Sequence, residues 1–165
     1  MVEKHTLQMF EIPAVADGEI ILLEEVEDQI FAQKMIGDGF AIRPTGNTIY
    51  APVDCKIGQV APTRHAVYLF LSDDVKLLIH IGIDTIEMKG DGFKTNLSKG
   101  LEVKKGEPLI EFDLELIREE GFDPVIAVIL LDGSEQAYDL TIYPTEKAIA
   151  NESLAMLVEV KNQTD

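Results

Sequence analysis

The chain reads as an all-β protein, an antiparallel sandwich or barrel with short helical turns. About ten apolar runs of strand length alternate with clusters of Gly, Pro, Asn and Asp. Only one segment has the spacing and the end signals of a helix. Apolar residues make up 46% of the 165, yet they fall in short runs, enough for a sizeable core without long helices.

Residues 1–9 carry no periodic or turn signal and are expected as a loose arm, with 10–165 forming a single domain. Gly18 to Val26 opens on a turn former and reads as a strand. Glu27 to Lys34 has room for one or two helical turns, with Ile30 and Phe31 packing inward. Gly39 to Arg43 reads as a strand that Pro44 ends, and Thr45-Gly46-Asn47-Thr48 as a turn. Thr48 to Ala51, Lys56 to Val60, His65 to Leu71 and Val75 to Ile83 follow as strands separated by Pro, Asp or Gly. Gly90-Asp91-Gly92 is a tight loop with positive φ. Glu102 to Phe112 is a turn feeding a strand. Asp113 to Glu120 is the helix: Asp113 caps it, Leu114 and Ile117 are its apolar positions, and Gly121 stops it. Pro124 to Leu131, Ala137 to Tyr143 and Ser153 to Val160 are the last strands. Asp17-Gly18-x-Ile20 is faintly echoed by Asp54-Cys55-x-Ile57, consistent with an internal duplication.

Thirty acidic residues against 14 basic ones give a net charge of −16, which argues against nucleic acid or an anionic membrane as partner. Much of that charge serves solubility; the rest can steer a basic partner. No apolar run approaches the ~20 residues that span a bilayer. The start, Met1 to His5, lacks a signal peptide's apolar region, and the lone Cys55 fits a reducing compartment. The expectation is a cytoplasmic monomer.

Chemistry concentrates between Thr63 and Phe93. His65 and His80, two of the three histidines, lie in segments that both read as strands, joined across Ser72-Asp73-Asp74. A loop of even length opposes His65 to His80 on one face, with Cβ atoms roughly 4.5–5.5 Å apart. A loop of odd length would oppose His65 to Ile81 and put the rings on opposite faces. The even register builds a two-imidazole site, in which one ring can be a nucleophile while the other donates a proton. By alternation Leu78 and Gly82 share the His80 face, while Leu77, Ile79, Ile81 and Ile83 face the other way.

Thr63-x-His65-Ala66 followed by Leu78-x-His80-x-Gly82-Ile83-Asp84-Thr85-x-Glu87-x-Lys89-Gly90-x-Gly92-Phe93 resembles the glucose-type enzyme IIA of the bacterial sugar phosphotransferase system. The resemblance runs from about Phe10 to Val160 and includes Ile36 to Asn47, Ala51-Pro52-Val53-Asp54 and Gly106 to Asp113. It implies a β-sandwich of two related half-motifs and a phosphocarrier. Such a carrier takes a phosphoryl group from the small histidine-containing phosphocarrier protein and gives it to the cysteine of a IIB domain in a sugar permease. By position, His80 corresponds to the phosphorylated nucleophile, His65 to its partner and Thr63 to the hydroxyl that orients His65. The Gly82 carbonyl is the expected acceptor for the second N–H of His80.

Asp84 and Asp28 correspond to aspartates that pair with a donor arginine. Asp84 shares the His80 face by parity if the strand continues that far; the alternative is that it caps a turn with Thr85. Leu78, Phe31 and Ile36 are the expected apolar collar of the docking surface, though Phe31 and Ile36 fit a core equally well.

Against the family pattern, Cys55 stands where glycine is usual, so its turn should avoid positive φ or be strained, and Asp74 replaces a turn glycine. Met88-Lys89 lacks the second methionine of a biotin carrier, and Gly37-Asp38-Gly39 is too short for a phosphate loop. No cofactor is expected. Zinc bridging His65 and His80 would need a third ligand that the sequence does not name. Two other functions stand beside the carrier reading: a regulatory protein that controls permeases or metabolic enzymes by its phosphorylation state, and a non-catalytic zinc domain.

Overall fold

Short strands joined by tight turns pair antiparallel, because parallel pairing needs a long crossover. Every strand pairing among the described residues follows that rule. The computed structural model describes residues 5–131 and 137–162. β1 (His5–Pro13) and β2 (Gly18–Leu22) precede a 3-10 turn, Leu23–Glu25, and the short helix α1 (Gln29–Ala32). β3 (Gly37–Pro44), β4 (Thr48–Tyr50) and β5 (Cys55–Val60) lead to β6 (Ala66–Phe70) and β7 (Lys76–Ile81). A second 3-10 turn, Thr85–Met88, is followed by β8 (Phe93–Lys94), β9 (Glu102–Val103), β10 (Pro108–Phe112) and α2 (Leu114–Glu119). Then come β11 (Ile126–Leu131), β12 (Ala137–Ile142), β13 (Thr145–Ala148) and β14 (Leu154–Asn162).

Eight strands form one sheet in the order β13-β2-β3-β11-β7-β6-β5-β9, and two three-stranded sheets, β1-β14-β12 and β4-β10-β8, complete the architecture. Alternation gives the large sheet two apolar faces. Phe40, Ile42, Leu77, Ile79, Ile81, Ile126 and Val128 face the main core, with Ile12 and Val158 of one small sheet and Ile49, Ile110 and Phe93 of the other. The layers make the antiparallel β-sandwich expected from the sequence. On the opposite face Ile21, Ala41, Ala66, Leu78, Ala127 and Ile129 form a second cluster with Leu23, Val26 and Phe31 of the segment running into α1. That smaller layer holds the site.

Duplication has a clearer trace than the echo at Asp17. Gly-Asp-Gly-Phe occurs at 37–40 and again at 90–93. Each copy runs into a strand, β3 or β8, and Phe40 and Phe93 enter the same core. Cys55, which replaces the glycine of the echo, avoids the left-handed region, so the substitution carries no backbone strain.

Several expectations are corrected. Residues 5–9 are not a loose arm but the first half of β1, with Met9 paired to Glu159; residues 1–4 lie outside the described ones. The strand expected to run to Val26 stops at Leu22, where Glu25 accepts a hydrogen bond from the Leu22 N–H and folds the chain into a 3-10 turn. Ile30 points outward, 51% exposed, because α1 is a single turn that can bury only one large side chain, and that is Phe31. Strands β8 and β13, of two and four residues, were too short to register as periodic runs. The helix at α2 matches expectation: Asp113 accepts from the Leu116 N–H, and Gly121 takes φ +85°.

Candidate active site

β7 lies between β11 and β6, so His80 has a strand neighbour on each side. Both neighbours are alanines: Ala127 of β11 and Ala66 of β6. Ala41 and Ile21 extend the row across β3 and β2. Three alanines leave a trough on this face of the sheet, and the imidazole lies in it under the Phe31 ring, with centroids 5.1 Å apart. Sequence reasoning missed this row, because cross-strand neighbours are fixed by pairing register rather than by local pattern.

The β6–β7 register differs from the one that would place the histidines opposite each other. The connecting loop is odd, with the Leu71 N–H donating to the Val75 carbonyl, so Ala66 opposes His80 and the His65 carbonyl accepts from the Ile81 N–H. The rings nevertheless meet, because His65 is not a strand residue. It closes the turn Pro62-Thr63-Arg64-His65 between β5 and β6, where the Ala61 N–H donates to the Ala66 carbonyl. Arg64 there has φ +62°, and this left-handed residue redirects the chain, so strand parity does not apply to His65.

The two imidazoles stand edge to face, centroids 4.9 Å apart and planes at 85°. His65 is buried; its Nδ1 lies 2.5 Å from Thr63 Oγ1, and Phe93 packs on it with centroids 6.4 Å apart. His80 is half-buried, with its Nδ1 fully enclosed and Nε2 its other ring nitrogen. Burial, reinforced by the neighbouring His80, holds the His65 imidazole down at about 4. Burial also lowers His80, against the opposing pull of the Gly82 carbonyl, Asp28 and Asp84. Both rings are therefore neutral near pH ~7. The Gly82 carbonyl draws the His80 ring toward its protonated form, while Nδ1 makes no hydrogen bond of full geometry. Such contacts tighten in the reacting complex.

Gly82 follows β7 with φ +79°, and a Cβ there would stand 2.3 Å from Thr85 Cγ2. Thr85 Oγ1 donates back to the Ile81 carbonyl and fixes the turn. That turn removes Asp84 from strand parity: Asp84 lies beyond β7 with φ +59°, at the start of the 3-10 turn, without a side-chain cap bond. Asp28 caps α1 instead, its Oδ1 accepting from the Ile30 and Phe31 N–H groups at 2.8 and 3.4 Å. Its carboxylate thereby also seats Phe31 over His80.

Leu78 and Phe31, only 4% and 7% exposed, form the floor and lid of the trough rather than an outer rim. Ile36 is half-buried beside them. The accessible apolar residues are Ile30, Met35 and Ile86, at 51%, 63% and 59% exposure, next in the chain to Phe31, Ile36 and Thr85. Sequence reasoning missed them; a solvent-facing isoleucine on a one-turn helix was the available signal. No group of three or more His, Cys, Asp or Glu side chains suited to a metal stands among the described residues. No helix among them is long and apolar enough to cross a membrane.

A β-sandwich that presents two neutral, adjoining imidazoles in an acidic, apolar-edged trough has the chemistry of a group-transfer protein, one ring free to act as nucleophile beside a second able to donate a hydrogen bond. The model of the phosphoenolpyruvate-dependent sugar phosphotransferase system EIIA 1 family matches residues 10–136. The glucose-specific EIIA component of Staphylococcus aureus is 38% identical over 142 residues, covering 86% of this chain and 85% of the relative. That of Staphylococcus epidermidis is 37% identical over 149 residues, 90% of this chain and 89% of the relative. Among solved structures, the glucose permease IIA from Mycoplasma capricolum superposes with a TM-score of 0.80 at 30% identity, over 91% of this chain and 96% of that one. The chain belongs to the EIIA 1 family of the sugar phosphotransferase system, and so to its phosphotransferases.

Proposed function

We propose that this chain carries its phosphoryl group on His80, at Nε2. The observation that supports this is the enclosed Nδ1, which leaves Nε2 as the nitrogen able to meet a donor, beside a second neutral imidazole at 4.9 Å between centroids. The Nε2 lone pair attacks phosphorus in line. The P–N bond of the donor phosphohistidine breaks, and its electron pair returns to the donor ring. The proton on Nδ1 faces the Gly82 carbonyl. His65, with Thr63 at its Nδ1, directs its own Nε2 at the phosphoryl oxygens and offers the hydrogen bond that offsets their charge. In the onward step a cysteine thiolate of a IIB domain attacks phosphorus, and the P–N pair returns to His80.

The donor is the histidine-containing phosphocarrier protein. It docks over Ile30, Met35 and Ile86, with Asp84 and Asp28 meeting its basic side. Leu78, Phe31 and Ile36 support that surface from beneath. The acceptor takes the phosphoryl group through protein contacts, so sugar choice lies in the permease. A glucose-type IIB domain is the first acceptor to test, given the names of the relatives.

Incubation with phosphorylated donor should place acid-labile phosphate on His80 of the wild-type chain. His80→Ala should take none while keeping its fold, because β7 is held in the core by Leu77, Ile79 and Ile81. Normal labelling of His80→Ala would assign the phosphoryl group elsewhere.

A further inference from the structure

Arg64 has no role in the transfer described so far, yet it occupies the one strained backbone position of the turn that carries Thr63 and His65. Arginine is not among the residues that visit the left-handed region readily. At Arg64 a φ of +62° is accompanied by a backbone bond, its N–H donating to the Ala61 carbonyl at 2.7 Å, and by two bonds from the side chain. Nε donates to the Phe93 carbonyl at 2.9 Å and Nη2 to the Gly90 carbonyl at 3.0 Å. The fork geometry of guanidinium allows both bonds at once, which an ammonium cannot match. Gly90 lies on the loop that leads into β8 and Phe93 opens that strand, its ring packing against His65. Gly90 makes room: a Cβ there would stand 2.7 Å from Nη2. One side chain thus spans from the turn holding Thr63 and His65 to the segment holding Gly90 and Phe93.

We propose that Arg64 is a positioning residue for phosphoryl transfer, clamping the turn at Pro62–His65 to the loop at Gly90–Phe93 so that His65 keeps its edge-on approach to His80. The proposal rests on His65 being the partner of His80, as argued above. The hydrogen bonds of the Arg64 side chain go to the two carbonyls and to neither ring.

Two substitutions test it. Arg64→Asn keeps a residue that tolerates the left-handed region but is too short to reach either carbonyl. Arg64→Lys can reach one carbonyl and not both. At saturating donor, single-turnover acceptance by Arg64→Asn should fall roughly 10- to 100-fold, the range expected when a reacting group shifts by up to about 1 Å. The donor concentration giving half-saturation should stay at the wild-type value, and Arg64→Lys should recover part of the rate. In NMR spectra the cross-peaks between the His65 and Phe93 ring protons should weaken in Arg64→Asn.

Full-rate transfer by folded Arg64→Asn would overturn the proposal, leaving Arg64 a scaffold residue. A rise in half-saturating donor with the saturated rate intact would overturn it too, by making Arg64 a donor contact. Should the wild-type chain accept no phosphoryl group, the reading of His80 fails. The ring cross-peaks still decide the clamp, and their persistence in Arg64→Asn would refute it.

Discussion

Acidification should destabilise this protein through His65, and replacing His65 by glutamine should remove that component. Burial and the neighbouring His80 hold the folded imidazole at about 4, against 6.5 for the ordinary ring. As pH falls below the ordinary value, the unfolded chain binds a proton at position 65 that the folded chain refuses. Stability is therefore fully present above that value, declines below it, and levels off once pH passes the folded value. The span between about 4 and 6.5 corresponds to about 3 kcal/mol in full, of which about 2 kcal/mol is lost between pH ~7 and pH ~5. In a chain of this size that is roughly 4–8 °C in Tm. Carboxylates titrate in the same range, so the informative quantity is the difference between wild type and His65→Gln, measured by urea unfolding across that pH interval. The gap should shift by about 2 kcal/mol in favour of the variant as pH falls. A flat difference, or a His65 C2 proton titrating near its ordinary value in the folded protein, would show that the pocket is wet and that neutrality of His65 is not built in.

The same variant separates the two half-reactions. Glutamine still offers an N–H to the phosphoryl group but, unlike an imidazole beside a phosphoryl dianion, cannot take up a proton, so His65→Gln should still accept from the donor yet discharge to a IIB domain roughly 10²–10⁴-fold more slowly. Rapid mixing of each step is the measurement, and equal losses in both would reduce His65 to positioning alone. Association with the donor should slow as salt rises, because the Debye length shrinks below about 10 Å past 0.1 M. Asp84→Asn should flatten that dependence at little cost to dissociation; an unchanged salt profile would exclude Asp84 from steering.

What was legible in the sequence is what local pattern encodes. Alternation placed Leu77, Ile79 and Ile81 in the core and left His80 on the other face, and the structure agrees. Asp113 and Gly121 announced the ends of α2 because caps are local chemistry. The pairing of the histidines was reached through a register that does not exist. His65 arrives at His80 through a left-handed arginine in a turn, and a period of two cannot describe a residue outside a strand. Asp84 left its expected face for the same reason, since Gly82 had already turned the chain. The alanines beside His80 and the seat of the Arg64 guanidinium depend on partners outside the local stretch of chain, as with Ala127 or Phe93. Local periodicity holds no record of them.

His80 rides on a strand that is hydrogen-bonded on both sides and packed on both faces. Such a strand opens only with the whole domain, so its amides should exchange with solvent at the global unfolding limit whether or not His80 bears phosphate. A faster exchange of β7 in either form would contradict this. On the proposed assignment of the phosphoryl group to His80, a strand so held should keep one shape in the loaded and empty carriers, which would then differ by a compact dianion and the space it fills. A partner would then tell the two apart by covering the trough, where phosphate would either meet a complementary charge or block the seat. On that reading, what a partner would sense is occupancy, read by touch at a single spot.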